Sequence, residues 1–166
     1  MENIMNYLWV FLISMVPLIE LRGAIPVAYT IKATDPSFNL LLGYIVIAVG
    51  NMIPVPIIFF FARKVLEWGA DKPVIGGFFS FCLRKGHKGG EKLKSKAGRG
   101  LFVALMLFVG IPLPGTGAWT GTLAASILDM DFKESITAVI CGVALAGVIV
   151  GVICTLGFGA WLGIAS

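Results

Sequence analysis

Charge is scarce in this chain. Asp, Glu, Lys and Arg make up 13% of its 166 residues, against about a quarter in an ordinary soluble domain. Histidine occurs once, and the three cysteines, Cys82, Cys141 and Cys154, lack metal-ligand spacing, so a structural metal centre is not expected. Cys141 and Cys154 fall in apolar sequence, where a thiol behaves as a small hydrophobe, and no disulfide is expected. No Ser-His-Asp set or nucleotide-binding loop is present. An enzyme or a cofactor protein is therefore not expected. The Met-Glu-Asn start lacks the basic region and small-residue cleavage site of a secretory signal. The first apolar segment is expected to stay.

Hydrophobic residues supply 58% of the chain and collect in uncharged stretches at residues 3–19, 40–62, 100–128 and 135–166. Spanning a bilayer takes about 20 apolar residues, and these runs define an all-α integral membrane protein in a single membrane domain. Ten of the thirteen Lys and Arg lie between Arg63 and Arg99, which places that connection in the cytoplasm under the positive-inside rule. Lys92, Lys94, Lys96 and Arg99 are read as basic residues at the membrane surface, with His87 solvated among them. The membrane setting accounts for this charge, so no nucleic-acid partner is expected.

Two motifs interrupt the apolar runs. The first, Pro17-Leu-Ile-Glu-Leu-Arg-Gly-Ala-Ile-Pro26, buries Glu20 and Arg22 in apolar sequence. Each ionisable group at membrane depth costs at least about 2.5–3.5 kcal/mol, and such residues usually face a cavity or each other. A straight helix over residues 4–31 would be about 42 Å long, well beyond a hydrocarbon core of about 30 Å. A re-entrant hairpin that breaks at Arg22–Pro26 is expected instead. The second motif, Gly110-Ile-Pro-Leu-Pro-Gly-Thr-Gly-Ala-Trp119, predicts another break, with Trp119 and Thr120 opening the returning helix.

Each hairpin is followed by an aspartate turn, at Asp35 and Asp129, and then by a spanning helix. Between Leu40 and Ala62, Pro54 and Pro56 predict a kink, and mid-span Asn51 is expected to bond freed backbone or a neighbouring helix. The last run is glycine-rich, with Gly142, Ala146, Gly147 and Gly151 suited to close helix packing. A shift of 94 residues sets Gly23 on Gly117, Asp35 on Asp129 and Phe38 on Phe132. The expected fold is two inverted repeats, residues 1–62 and 100–166, joined by an amphipathic and basic connection, 63–99, with both termini outside. Many secondary transporters follow that plan, with broken elements meeting at the midplane.

Within such a site Glu20 is the candidate for proton coupling and Arg22 offers a planar fork for phosphate or carboxylate. Gly23, Pro112, Pro114, Gly115, Thr116, Gly117 and Trp119 complete the candidate substrate cradle, since a glycine loop ahead of a helix presents amides to an anion. The structural alternatives are an internal Glu20–Arg22 ion pair that locks the hairpin, and a purely structural break at Pro112–Gly117.

Glu20-Leu-Arg-Gly-Ala-Ile-Pro26 together with Gly110-Ile-Pro-Leu-Pro-Gly-Thr-Gly-Ala-Trp-Thr-Gly121 resembles the small multidrug export family of prokaryotic membrane proteins, over nearly the whole chain. That family in turn resembles the DedA/VTT membrane proteins, which are implicated in moving lipids such as undecaprenyl phosphate. The resemblance implies a multi-pass protein of the cytoplasmic membrane. It further implies a proton-coupled transporter or lipid translocase acting on a polyprenyl phosphate. The alternatives it leaves are a proton-coupled drug exporter and a non-transporting assembly protein; a homodimer is compatible with the small size. The chain departs from the DedA pattern in having no arginine between Gly110 and Gly121.

Overall fold

The computed structural model describes residues 2–70, 77 and 100–165, and among them every regular element is helical. In chain order these are α1 (Glu2–Met15), α2 (Glu20–Thr34), α3 (Leu40–Met52), α4 (Pro54–Ala70), α5 (Gly100–Gly110), α6 (Ala118–Ile127) and α7 (Phe132–Ala165). Two stretches are long and apolar enough to cross a membrane, Leu40–Val65 through α3 and α4, and Phe132–Gly157 within α7. Four helices are shorter: α1 has 14 residues, α2 15, α5 11 and α6 10.

The first break comes earlier than the sequence pattern predicts. Chain direction changes at residues 16–19, and the stretch Glu20–Pro26 lies inside α2 rather than at a tip. Leu18 and Glu20 take left-handed backbone, with φ of 72° and 51°, which local propensity does not anticipate for residues with a side chain. Pro26 is accommodated in the helix because its fixed φ is helical and only one backbone bond is lost.

Local chemistry sets the other boundaries. Asp35 closes α2, and its carboxylate accepts from the Ser37 amide (3.0 Å) and hydroxyl (2.5 Å) and from Asn6 Nδ2 (3.2 Å). Asn39 caps α3 by accepting from the Leu42 amide at 3.2 Å. The Asn39 amide in turn donates to Tyr7 Oη at 2.9 Å, and the Tyr7 ring stacks on Phe38, which ties α1 to this turn. Pro54 opens α4 where a missing N–H costs nothing, giving the expected kink at Ile53. Asp129, at φ 55°, turns the chain between α6 and α7 and pairs with Arg63 of α4.

Packing is close where side chains are small. A Cβ on Gly142 of α7 would lie 2.7 Å from both the Met106 carbonyl and Val109 Cβ of α5. Apolar association is weak in lipid, so such fits hold membrane helices together. Phe38, Ile25, Ile47, Met130 and Val109 fill the interior, while Leu41, Ile57, Val148 and Leu156 point outward. Of the expected connection, 63–99, residues 63–70 continue α4 and residue 77 is also described; the rest, including Lys92, Lys94, Lys96, Arg99, His87 and Cys82, lies outside the described residues.

Candidate functional site

The ends of α5 and α6 leave backbone groups without helical partners, four at each terminus. Between them runs the loop Ile111–Gly117. Its prolines cannot donate, and its turns are held by Thr116, whose amide and hydroxyl donate to the Leu113 carbonyl at 3.2 and 2.9 Å. Several carbonyls still point inward, and so do the first amides of α6.

Side chains from α2 meet both sets. Arg22 Nη1 donates to the carbonyls of Leu113 (2.6 Å) and Thr116 (2.8 Å), and Nη2 to those of Val109 and Ile111 (both 3.1 Å). Glu20 lies beside it, 5% exposed. Its Oε2 accepts from the Ala118 amide at 3.1 Å and its Oε1 from the Trp119 amide at 2.9 Å. The carboxylate therefore sits at the positive end of the α6 dipole and the guanidinium at the negative end of α5. Glu20 and Arg22 are adjacent but spend their hydrogen bonds on the second broken element rather than on each other.

Gly117 completes the fit. Its φ of 141° and ψ of −171° occupy a region open almost only to glycine, and a Cβ there would lie 2.7 Å from Glu20 Cδ. The anion held by the first amides of α6, those of Ala118 and Trp119, is thus, in this conformation, the chain's own carboxylate.

Beside this junction is a cavity of about 790 Å³. Seven of the anticipated residues line it: Glu20, Arg22, Pro112, Pro114, Gly115, Thr116 and Trp119. Gly23 does not, because it packs in α2 against Ile19, and Gly117 faces Glu20. The opposite wall is α4, through Ile58, Phe61, Ala62 and Val65. Their spacing of three, four and seven marks one helix face, a signal in the sequence that the charged motifs overshadow. Leu18, Leu123 and Val150 add further apolar surface.

Asn51 departs from expectation. It is 1% exposed and its Oδ1 has no partner. It borders a void of about 10 Å³ shared with Glu20, Arg22 and Val109, about the room one water needs. Trp119 Nε1, at the cavity wall, likewise lacks a partner.

Among the described residues every regular element is helical, two apolar stretches are of membrane length, and two broken elements are joined through buried Glu20 and partly exposed Arg22, an arrangement that fits an integral membrane protein. Residues 20–149 match the family described as "Putative small multi-drug export protein", and the chain belongs to that family. No curated protein matches it, and no solved structure does.

Proposed function

We propose that this protein exports amphiphilic, largely apolar compounds across a prokaryotic cytoplasmic membrane, and that they bind in the cavity between α4 and the Ile111–Gly117 loop. The observation carrying this reading is the cavity itself. Its volume of about 790 Å³ falls within the usual range for drug-sized ligands, and its walls are apolar and aromatic with a few polar groups at one end.

The short helices support a re-entrant arrangement. At 1.5 Å per residue α5 and α6 are about 15–17 Å long, half of a hydrocarbon core. In the proposed topology α1–α2 and α5–α6 enter and return, α3–α4 and α7 cross, and the 63–99 connection is cytoplasmic. The two halves then have opposite orientation and rock about the junction.

Glu20 is the proposed coupling group. Protonation removes the charge that faces the α6 N-terminus and weakens both amide bonds, which releases the loop; deprotonation restores them. A second reading, movement of an anionic polyprenyl phosphate, draws on Arg22 as the single cation among the cavity-lining residues. It requires Arg22 to exchange all four carbonyls for phosphate oxygens.

The test is transport in proteoliposomes under an imposed pH gradient, comparing a panel of amphiphilic dyes with a fluorescent polyprenyl phosphate. Leu123→Trp, which sets an indole into the cavity, should impair dye movement while leaving folding intact, and Glu20→Gln should uncouple it from the gradient. Dye flux unaffected by Leu123→Trp would sink the cavity assignment. Movement of the polyprenyl phosphate alone would turn the reading to lipid translocation.

A further inference from the structure

Resting on that export reading, we propose that the carbonyl cradle at the end of α5 is a cation site of guanidinium type. Arg22 is its resident occupant, and the head group of the exported amphiphile takes its place. The substrates would then be amphiphiles with a guanidinium or amidinium head, rather than quaternary ammonium compounds or phosphates.

The argument starts from what the cradle offers. The oxygens of Val109, Ile111, Leu113 and Thr116 converge on the two terminal nitrogens of one planar group, at 2.6–3.1 Å. All four are acceptors; Val109 and Ile111 lie at the C-terminal end of α5, where the helix dipole is negative, and Leu113 and Thr116 lie in the loop that follows. The nearby donors that would suit an anion, the amides of Ala118 and Trp119, are held by Glu20. With Arg22 withdrawn, the cradle presents acceptors beside a carboxylate. A phosphate finds no donor there, and a quaternary ammonium has no N–H to give.

A guanidinium or amidinium satisfies the geometry. It is planar, carries paired N–H donors and is weakly hydrated for a cation, so it enters an apolar cavity more readily than a compact ammonium. Leu113 and Thr116 belong both to the cradle and to the cavity wall, so an apolar tail has space next to the head. Glu20 offers the displaced Arg22 a counter-charge during the exchange. When substrate leaves, Arg22 returns, and the carbonyls are not left unsatisfied at membrane depth, where that is costly. The arginine that seems to repel a cationic substrate becomes the group that resets the empty site.

The experiment measures binding to purified protein, with no membrane flux involved. For Arg22→Ala in nanodiscs, methylguanidinium at millimolar concentration should raise the unfolding midpoint, and tetramethylammonium should not. For the wild type, which needs no mutant to fold, dodecylguanidinium, dodecyltrimethylammonium and dodecyl phosphate are compared by calorimetry. The guanidinium should bind at least ~10-fold more tightly, a difference readily measured as a dissociation constant. Equal affinity, or tighter binding of the ammonium or the phosphate, would overturn the proposal. Dye export that persists without guanidinium preference would leave the transport reading standing and remove this one. Selective guanidinium binding without any export would do the reverse.

Discussion

Gly117→Ala tests the junction most directly. The substitution meets two penalties that can be separated. The first is backbone strain, since φ 141° with ψ −171° is essentially closed to alanine and costs about 1–3 kcal/mol. The second is steric: the new Cβ falls 2.7 Å from Glu20 Cδ and 2.8 Å from Oε1, so the carboxylate must leave. Its two charge-assisted bonds to the Ala118 and Trp119 amides are each worth about 1.5–3 kcal/mol. The combined loss is roughly 4–9 kcal/mol, a large share of a typical stability of about 5–15 kcal/mol. Denaturant titration in micelles reads it out. Gly115→Ala is the control, because Gly115 also has positive φ, 80°, but nothing within 4 Å of a Cβ; it should cost only about 1–2 kcal/mol. In a Glu20→Ala background Gly117→Ala should fall to the strain cost alone. An equal cost in both backgrounds, or a cost no greater than that of Gly115→Ala, would refute the reasoning.

Further expectations follow from other contacts. Arg22→Lys keeps the charge but cannot reach four carbonyls from one nitrogen, and should lose about 1–3 kcal/mol by the same titration. Gly142→Ala drives a methyl into the Met106 carbonyl and Val109 and should destabilise by about 1–3 kcal/mol, whereas an unchanged midpoint would show that α5 and α7 are free to separate. Arg63 and Asp129 are each partly exposed, so Arg63→Ala should cost at most about 1 kcal/mol and less in high salt. The Ser37 hydroxyl, then its amide and Asn6, hold the Asp35 carboxyl below its usual range. That lowered value means the carboxylate stabilises the fold above the unfolded pKa of about 4, and the contribution disappears as pH falls through the folded value. Asp35→Asn should therefore flatten stability against pH in that acid range; an unchanged slope would remove Asp35 from the explanation.

Much of the candidate site was legible because charge within an apolar run is conspicuous. Glu20 and Arg22 stand out in any reading of the chain, and the glycine-proline loop before Ala118 announces its own break. The Pro54 kink and the Asp35 and Asp129 turns also follow from residue types. The use of the pair did not follow. Bonds that join α2 to carbonyls and amides 87 to 99 positions away leave no periodic trace, and a nearby pair of opposite charges suggests a local bond instead. The first break was displaced for a related reason: a helix tolerates Pro26, while left-handed Glu20 is held by bonds to Ala118 and Trp119 that no propensity encodes. Asn51 was assigned a partner on the general cost of burial, and the structure leaves its oxygen beside a void.

The clamp also bears on biogenesis. Glu20 and Arg22 precede Val109–Trp119 in the chain, so in the proposed topology the helix ends of the second element would enter the bilayer bare unless α2 closed over them. Unsatisfied backbone is poorly tolerated in hydrocarbon, so in that topology the N-terminal half would be a template on which the C-terminal half completes its fold. Two fragments divided within the 71–99 connection should accordingly fail to accumulate when produced singly and recover when produced together. A second fragment carrying the whole loop would still depend on two side chains it does not encode.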